Sequence, residues 1–100
     1  MNEKLSFNEV KEKHLPKLLQ YVPVVARVHG DSHPEFYDVH KLFDAIYEKI
    51  KETESEKIEI DKEFLQLREV TKNYSIPEDV CETYEAVYEM LSELDKAYHG

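Results

Sequence analysis

Glycine occurs only twice in these 100 residues, cysteine once and tryptophan not at all. So little glycine rules out the Gly-rich loops that cradle phosphates, and neither paired cysteines nor a nucleophile elbow appears anywhere in the chain. The lone Cys81 cannot form an internal disulfide, which fits a reducing compartment. No apolar run approaches the roughly 20 residues that span a bilayer. The opening Met1-Asn2-Glu3-Lys4 lacks the basic-then-apolar order of a signal peptide, so the expected location is the cytoplasm. Positive charge is also scarce, with 13 Lys and Arg against 22 Asp and Glu and a formal charge of -9. That balance argues against nucleic acid and against anionic membranes, whose phosphates the acids would repel. Oligomeric state is not legible.

What is present reads as helix. Hydrophobic residues at 41% and charged residues at 35% describe a globular chain rather than a disordered one. One hundred residues suffice for a single core, so residues 1–100 are expected to form one domain without a linker. Ser6 with Glu9 forms a capping-box pattern, and Phe7, Val10, His14, Leu18, Tyr21, Val25 and Val28 follow at helical spacing. Pro16 and Pro23 each remove an amide donor and predict a kink, or an irregular turn before Leu15. Gly30 suits a helix C-terminus and Pro34 the first turn of the next helix, where Phe36, Val39, Phe43, Ile46 and Ile50 form the stripe. The polar stretch 52–57 reads as a loop. Ile60, Phe64, Leu67, Thr71 and Tyr74 mark a third helix. Ser75 with Glu78, and Pro77 beside them, predict the start of a fourth, striped by Val80, Tyr84, Val87, Leu91, Leu94 and Tyr98. The expected fold is all-α: helices over about 7–29, 34–53, 59–74 and 77–98 in an up-down-up-down antiparallel four-helix bundle.

In that topology His29, His33 and His40 fall near one end, and His14 and His99 near the other. A di-iron centre in a bundle needs several His and carboxylate ligands at one height. His40 with Asp44 and Asp95 with His99 have i, i+4 spacing, but the two pairs sit on different levels. His29, His33 and His40 are the candidate metal ligands, able to hold one zinc or iron(II) with water, and Glu35 or Asp44 could assist. The alternative for His29 is a helix-end side chain that caps carbonyls. His14 reads as a hydrogen-bonded boundary residue.

Three segments carry a resemblance: LPKL, VARVHGDSHP, and FLQLREVTKNYSIPEDVCETYEAVYEMLSELDKAYH. The first two are similar to the LPxL and VHGxxHP patterns of the hemerythrin-like domain of the RIC (repair of iron centres) di-iron proteins. The third resembles that family's LLxxIRxLTNNYxxPxxAC run and final helix. The resemblance implies a hemerythrin-like bundle and a link to iron-sulfur and nitrosative-oxidative stress. It also places the family's ligands. Asn8 stands where the first ligand His would be, His29 matches the His of VHG, and Thr53 and Lys57 fall where a His-x-x-x-Glu pair would close the second helix. No His occurs between His40 and His99, and the last pair would lie beyond Gly100. The di-iron site is therefore expected to be incomplete and no cofactor is expected, a single Fe or Zn being the alternative.

Tyr21, Tyr47, Tyr74, Tyr84 and Tyr98 lie at core periods, their rings expected to pack while their hydroxyls reach the rim. Cys81, beside the last stripe, reads as a buried, inert thiol. Glu78, Glu82, Glu85, Glu89 and Glu93 fall within about 80° of one another on the outer side of the last helix, as a solvated acidic ladder or a docking face for a basic protein partner. No nucleophile, base and orienting group fall together, so the chain reads as a non-enzymatic interaction or regulatory module, with metal binding through the His cluster as the alternative.

Overall fold

The first helix, α1, spans Phe7–His29 without interruption. Val10, His14, Leu18, Val22, Val25 and Ala26 are its buried side chains, a stripe of three- and four-residue steps that needs a neighbour to cover it. The helix is unbroken through the positions of Pro16 and Pro23, both exposed, so the expected irregular turn before Leu15 is not seen. A proline lacks only its own N–H, and on the solvent side water can satisfy the freed carbonyl. Val28 is 63% exposed; it lies about 120° around the helix from Val22 and so leaves the stripe.

This computed structural model describes residues 7–52 and 59–99. The capping box at Ser6 and the polar loop through Lys57 therefore fall outside the described residues. The second helix, α2, is Glu35–Glu52, with Phe36, Val39, Phe43 and Ile46 buried as the spacing predicts. The third, α3, is Asp61–Thr71, burying Phe64, Leu67 and Thr71. The fourth, α4, is Glu82–His99. Among the described residues there is no strand.

Two boundaries differ from the sequence reading, for one local reason. Thr71 Oγ1 donates to the Leu67 carbonyl at 2.6 Å and accepts the Tyr74 N–H at 2.8 Å, which draws the chain out of the helix. Lys72, Asn73 and Tyr74 then all adopt positive φ, at 54°, 61° and 62°, where only the left-handed region is open to a side chain. Helix α3 thus stops at Thr71 rather than at 74. Ser75 donates its hydroxyl back to the Lys72 carbonyl at 2.8 Å, so it caps nothing. The start of α4 moves from 77 to Glu82, with the Cys81 carbonyl accepting the Glu85 N–H at 3.1 Å.

Helix α1 packs against α4 and α2, and α2 packs against α3. His14, early in α1, meets Glu93 of α4 at 2.6 Å, while His29, at its end, lies beside Cys81 just before α4. Lys49 near the end of α2 pairs with Glu63 near the start of α3 at 2.7 Å. The core between them is contiguous, with Leu18, Phe36, Phe43, Phe64, Leu67, Tyr84, Tyr88 and Leu91 all nearly inaccessible. Val10 and His14 belong to the buried set, so the first turns of α1 are part of the core.

Candidate functional site where the first helix meets the last

A tight turn builds the site. Gly30 N–H donates to the Ala26 carbonyl at 3.0 Å, and the N–H groups of Ser32 and His33 both donate to the His29 carbonyl, at 3.1 and 2.7 Å. A Cβ on Gly30 would sit 2.3 Å from Cζ of Tyr37 and 2.4 Å from the Ala26 carbonyl oxygen; glycine is required here for close approach, not for a positive φ. The turn brings the His29 and His33 rings to 6.4 Å, centroid to centroid.

Each imidazole has its own partners. His29 Nε2 lies 3.2 Å from Cys81 Sγ. His33 faces two carboxylates, Glu35 Oε2 at 3.2 Å from Nδ1 and Asp79 Oδ1 at 3.1 Å from Nε2, and only the imidazolium can donate to both at once. Tyr84 closes the floor, its ring edge-on to His29 at 5.4 Å and to His33 at 5.6 Å. Beneath it Phe36 and Tyr88 stack at 6.1 Å, and the Tyr84 and Tyr88 hydroxyls meet at 3.1 Å. A cleft of about 400 Å³ opens beside His33 and Glu35 towards Ile76 and Pro77.

Cys81 is exposed, a correction to the reading of it as buried. It precedes the first turn of α4 and so lies outside the stripe that starts properly at Tyr84. Tyr84 corrects a second expectation, since its hydroxyl bonds that of Tyr88 inside the core instead of reaching the rim. Burial pushes both hydroxyls up from the ordinary tyrosine value. The Tyr88 hydrogen bond partly offsets this for Tyr84, while the Tyr84 partner adds to it for Tyr88. Tyr74 is likewise pushed up, by burial and then by its bond to Asp95.

A pH dependence follows. Below about pH 10 these tyrosines are protonated in both folded and unfolded chains and their stability contribution is intact. Above it the unfolded chain ionises first, the folded chain holds more protons, and stability falls by up to about 1.4 kcal/mol per pH unit for each. Tyrosinate absorbance followed with circular dichroism is expected to show part of the seven tyrosines ionising together with loss of helix. Ionisation of all of them near pH 10 with helix intact would contradict the buried hydroxyl pair.

The remaining predicted residues lie elsewhere. His40 is not brought to His29 and His33. Its Nε2 lies 3.4 Å from Asp44 Oδ2, because the register of α2 carries it more than a turn beyond Glu35, roughly 7 Å along the axis. Among the described residues no group of three or more His, Cys, Asp or Glu side chains is arranged to hold a metal ion. Glu82, Glu85, Glu89 and Glu93 are exposed along α4, whereas Glu78 lies in the turn before it. Sequence reasoning missed Asp79 and Tyr88 at this site. Tyr88 sits one step beside the Tyr84, Val87 and Leu91 stripe, and a core-facing helix buries a stripe wide enough to include it.

No family model matches the chain, and no solved structure does. The chain is similar to one curated protein, the iron-sulfur cluster repair protein ScdA of Staphylococcus haemolyticus (strain JCSC1435), 24% identical over 124 residues and covering 93% of this chain. The two are distant relatives. The chain spans 56% of the length of ScdA, and the aligned length exceeds this chain's own 100 residues, so ScdA carries insertions that this chain lacks. The match supports a RIC-related family.

Proposed function

We propose that this chain is a ligand-depleted relative of the iron-sulfur cluster repair proteins, a hemerythrin-like bundle of antiparallel, up-and-down helices that works as a non-catalytic interaction or regulatory module in the cytoplasmic response to iron-sulfur damage. The observation that carries the reading is the setting of His29. It is the residue that matches the family's VHG histidine, yet its Nε2 is directed to Cys81 at 3.2 Å and its ring rests on Tyr84. Below it lie the rings of Phe36, Tyr84 and Tyr88, where a di-iron centre would require carboxylates and further imidazoles. The residues present do not fit that centre, and Asn8, exposed on α1, supplies no imidazole at the position of the first ligand.

The working surface in this reading is the exposed acidic face of α4. Four like charges at three- and four-residue spacing oppose one another by a few tenths of a kcal/mol per pair, and their summed potential steers a basic partner. The second reading, one iron or zinc ion on His29 and His33, draws on the proximity of the two rings. Anaerobic calorimetric titration of iron(II) and of zinc into the wild type and into His29→Ala separates them. The expected result is no saturable heat in either protein; stoichiometric binding that His29→Ala abolishes would overturn the first reading in favour of the second.

A further inference from the structure

Away from the His29 site, α3 and α4 enclose a cleft of about 600 Å³. At its base is Asp95, whose side chain is 8% exposed and whose oxygens are already engaged. Its Oδ2 accepts from Arg68 Nε at 2.9 Å and from the Tyr74 hydroxyl at 2.7 Å, and its Oδ1 lies 2.8 Å from His99 Nδ1. This carboxylate is an organiser: by consuming one edge of Arg68 it fixes the guanidinium plane and leaves the two terminal nitrogens as a free fork.

The cleft wall is rich in donors without partners. Arg68, Asn73, Ser92 and Lys96 all line it. Among the described residues the Arg68 terminal nitrogens, the Asn73 side-chain amide, the Ser92 hydroxyl and the Lys96 ammonium make no hydrogen bond or ion pair, the Arg68 side chain being engaged only through Nε. Four donors, two of them cationic, converge on one concavity in a chain with a formal charge of -9. Asn73 is held there by the run of three positive-φ residues, backbone strain on the order of 1 to 3 kcal/mol each that the surrounding bonds of Thr71 sustain. His99 adds an imidazole at the far wall, its Nε2 taken by Asp61 at 3.1 Å. Glu89 and Glu93 line an adjoining depression that shares Asn73, Tyr74, Ser92 and Lys96 with the cleft, so their charge favours an anion on the Arg68 side.

We propose that the cleft between α3 and α4 is a binding site for the oxyanion of a small molecule, a phosphate ester or a carboxylate, held by the Arg68 fork, Lys96, Asn73 and Ser92. A planar guanidinium fork beside a point-charge ammonium is the donor arrangement that suits such groups. The volume suits a small ligand, and the chain's overall negative charge disfavours a polyanion. The site stands independently of the metal question.

The test is amide chemical-shift mapping of the full chain titrated with inorganic phosphate and, separately, with succinate, at low ionic strength. Saturable shifts centred on Asn73, Ser92 and Lys96 with either probe support the site, and the preferred probe distinguishes phosphate ester from carboxylate. Lys96→Gln and Asn73→Gly, the latter compatible with the positive φ, are each expected to weaken binding by roughly tenfold, and Lys41→Gln on α2 to leave it unchanged. Absence of saturable shifts with both probes, shifts centred elsewhere, or undiminished wild-type affinity in both Lys96→Gln and Asn73→Gly would overturn the proposal.

Discussion

Phe36→Ala is expected to destabilise the protein by about 3 to 5 kcal/mol, the usual loss when a large, fully packed aromatic is truncated. Phe36 has no accessible surface and touches the two rings that close the floor under the histidines, Tyr84 at 5.0 Å and Tyr88 at 6.1 Å. Tyr84 and Tyr88 are tied to each other through their hydroxyls, which limits how far they can collapse into the void. A domain of this size holds on the order of 5 to 15 kcal/mol, so the variant is expected to lose roughly 15 °C or more in thermal midpoint. Urea unfolding checks it directly. A loss under 1 kcal/mol would mean that the aromatic floor is loosely packed.

Asp95→Ala is expected to be nearly as damaging, at about 2 to 3 kcal/mol. The loss arises less from the ion pair than from what it strands. Arg68 is half-exposed and recovers some hydration, but the Tyr74 hydroxyl loses its acceptor in a largely buried setting, and an unsatisfied buried donor costs about 1 to 3 kcal/mol. Asp95→Asn, which keeps the shape and one acceptor oxygen, is expected to lose less than half as much. Tyr74→Phe in the Asp95→Ala background then has little further effect, because the partners are already separated; additive losses would show that Asp95 and Tyr74 act independently.

The helices were legible where one face does the packing. Of the α2 stripe, Phe36, Val39, Phe43 and Ile46 are buried, while Ile50, in the last turn, is only partly so, because periodicity reports burial directly except where a helix end leaves the core. Junctions were less legible. The Ser75 and Glu78 pattern resembles a capping box, but the chain emerging from α3 in left-handed conformation at Lys72, Asn73 and Tyr74 arrives with Ser75 turned back on Lys72. Only Asn73 among these three carries a sequence signal for that conformation. The pairing of His29 with Cys81, 52 residues away, and of His33 with Asp79 depends on how α1 meets the start of α4, which local pattern does not encode. Asp95 was visible only as the partner of His99. Its place one step beyond Leu91 and Leu94 on a buried face is the signal that it is an interior carboxylate, and an interior carboxylate implies a guanidinium and a hydroxyl nearby.

The relationship to ScdA covers most of this chain and about half of ScdA. In the reading proposed above, the chain acts through its surface rather than through a metal centre. The decisive measurement is metal content per chain by inductively coupled plasma mass spectrometry, on protein produced in iron-replete cells and purified anaerobically without chelator. The account predicts iron and zinc far below one per chain, unchanged in His29→Ala. Near-stoichiometric iron that is lost in His29→Ala would contradict it and return the protein to metal chemistry.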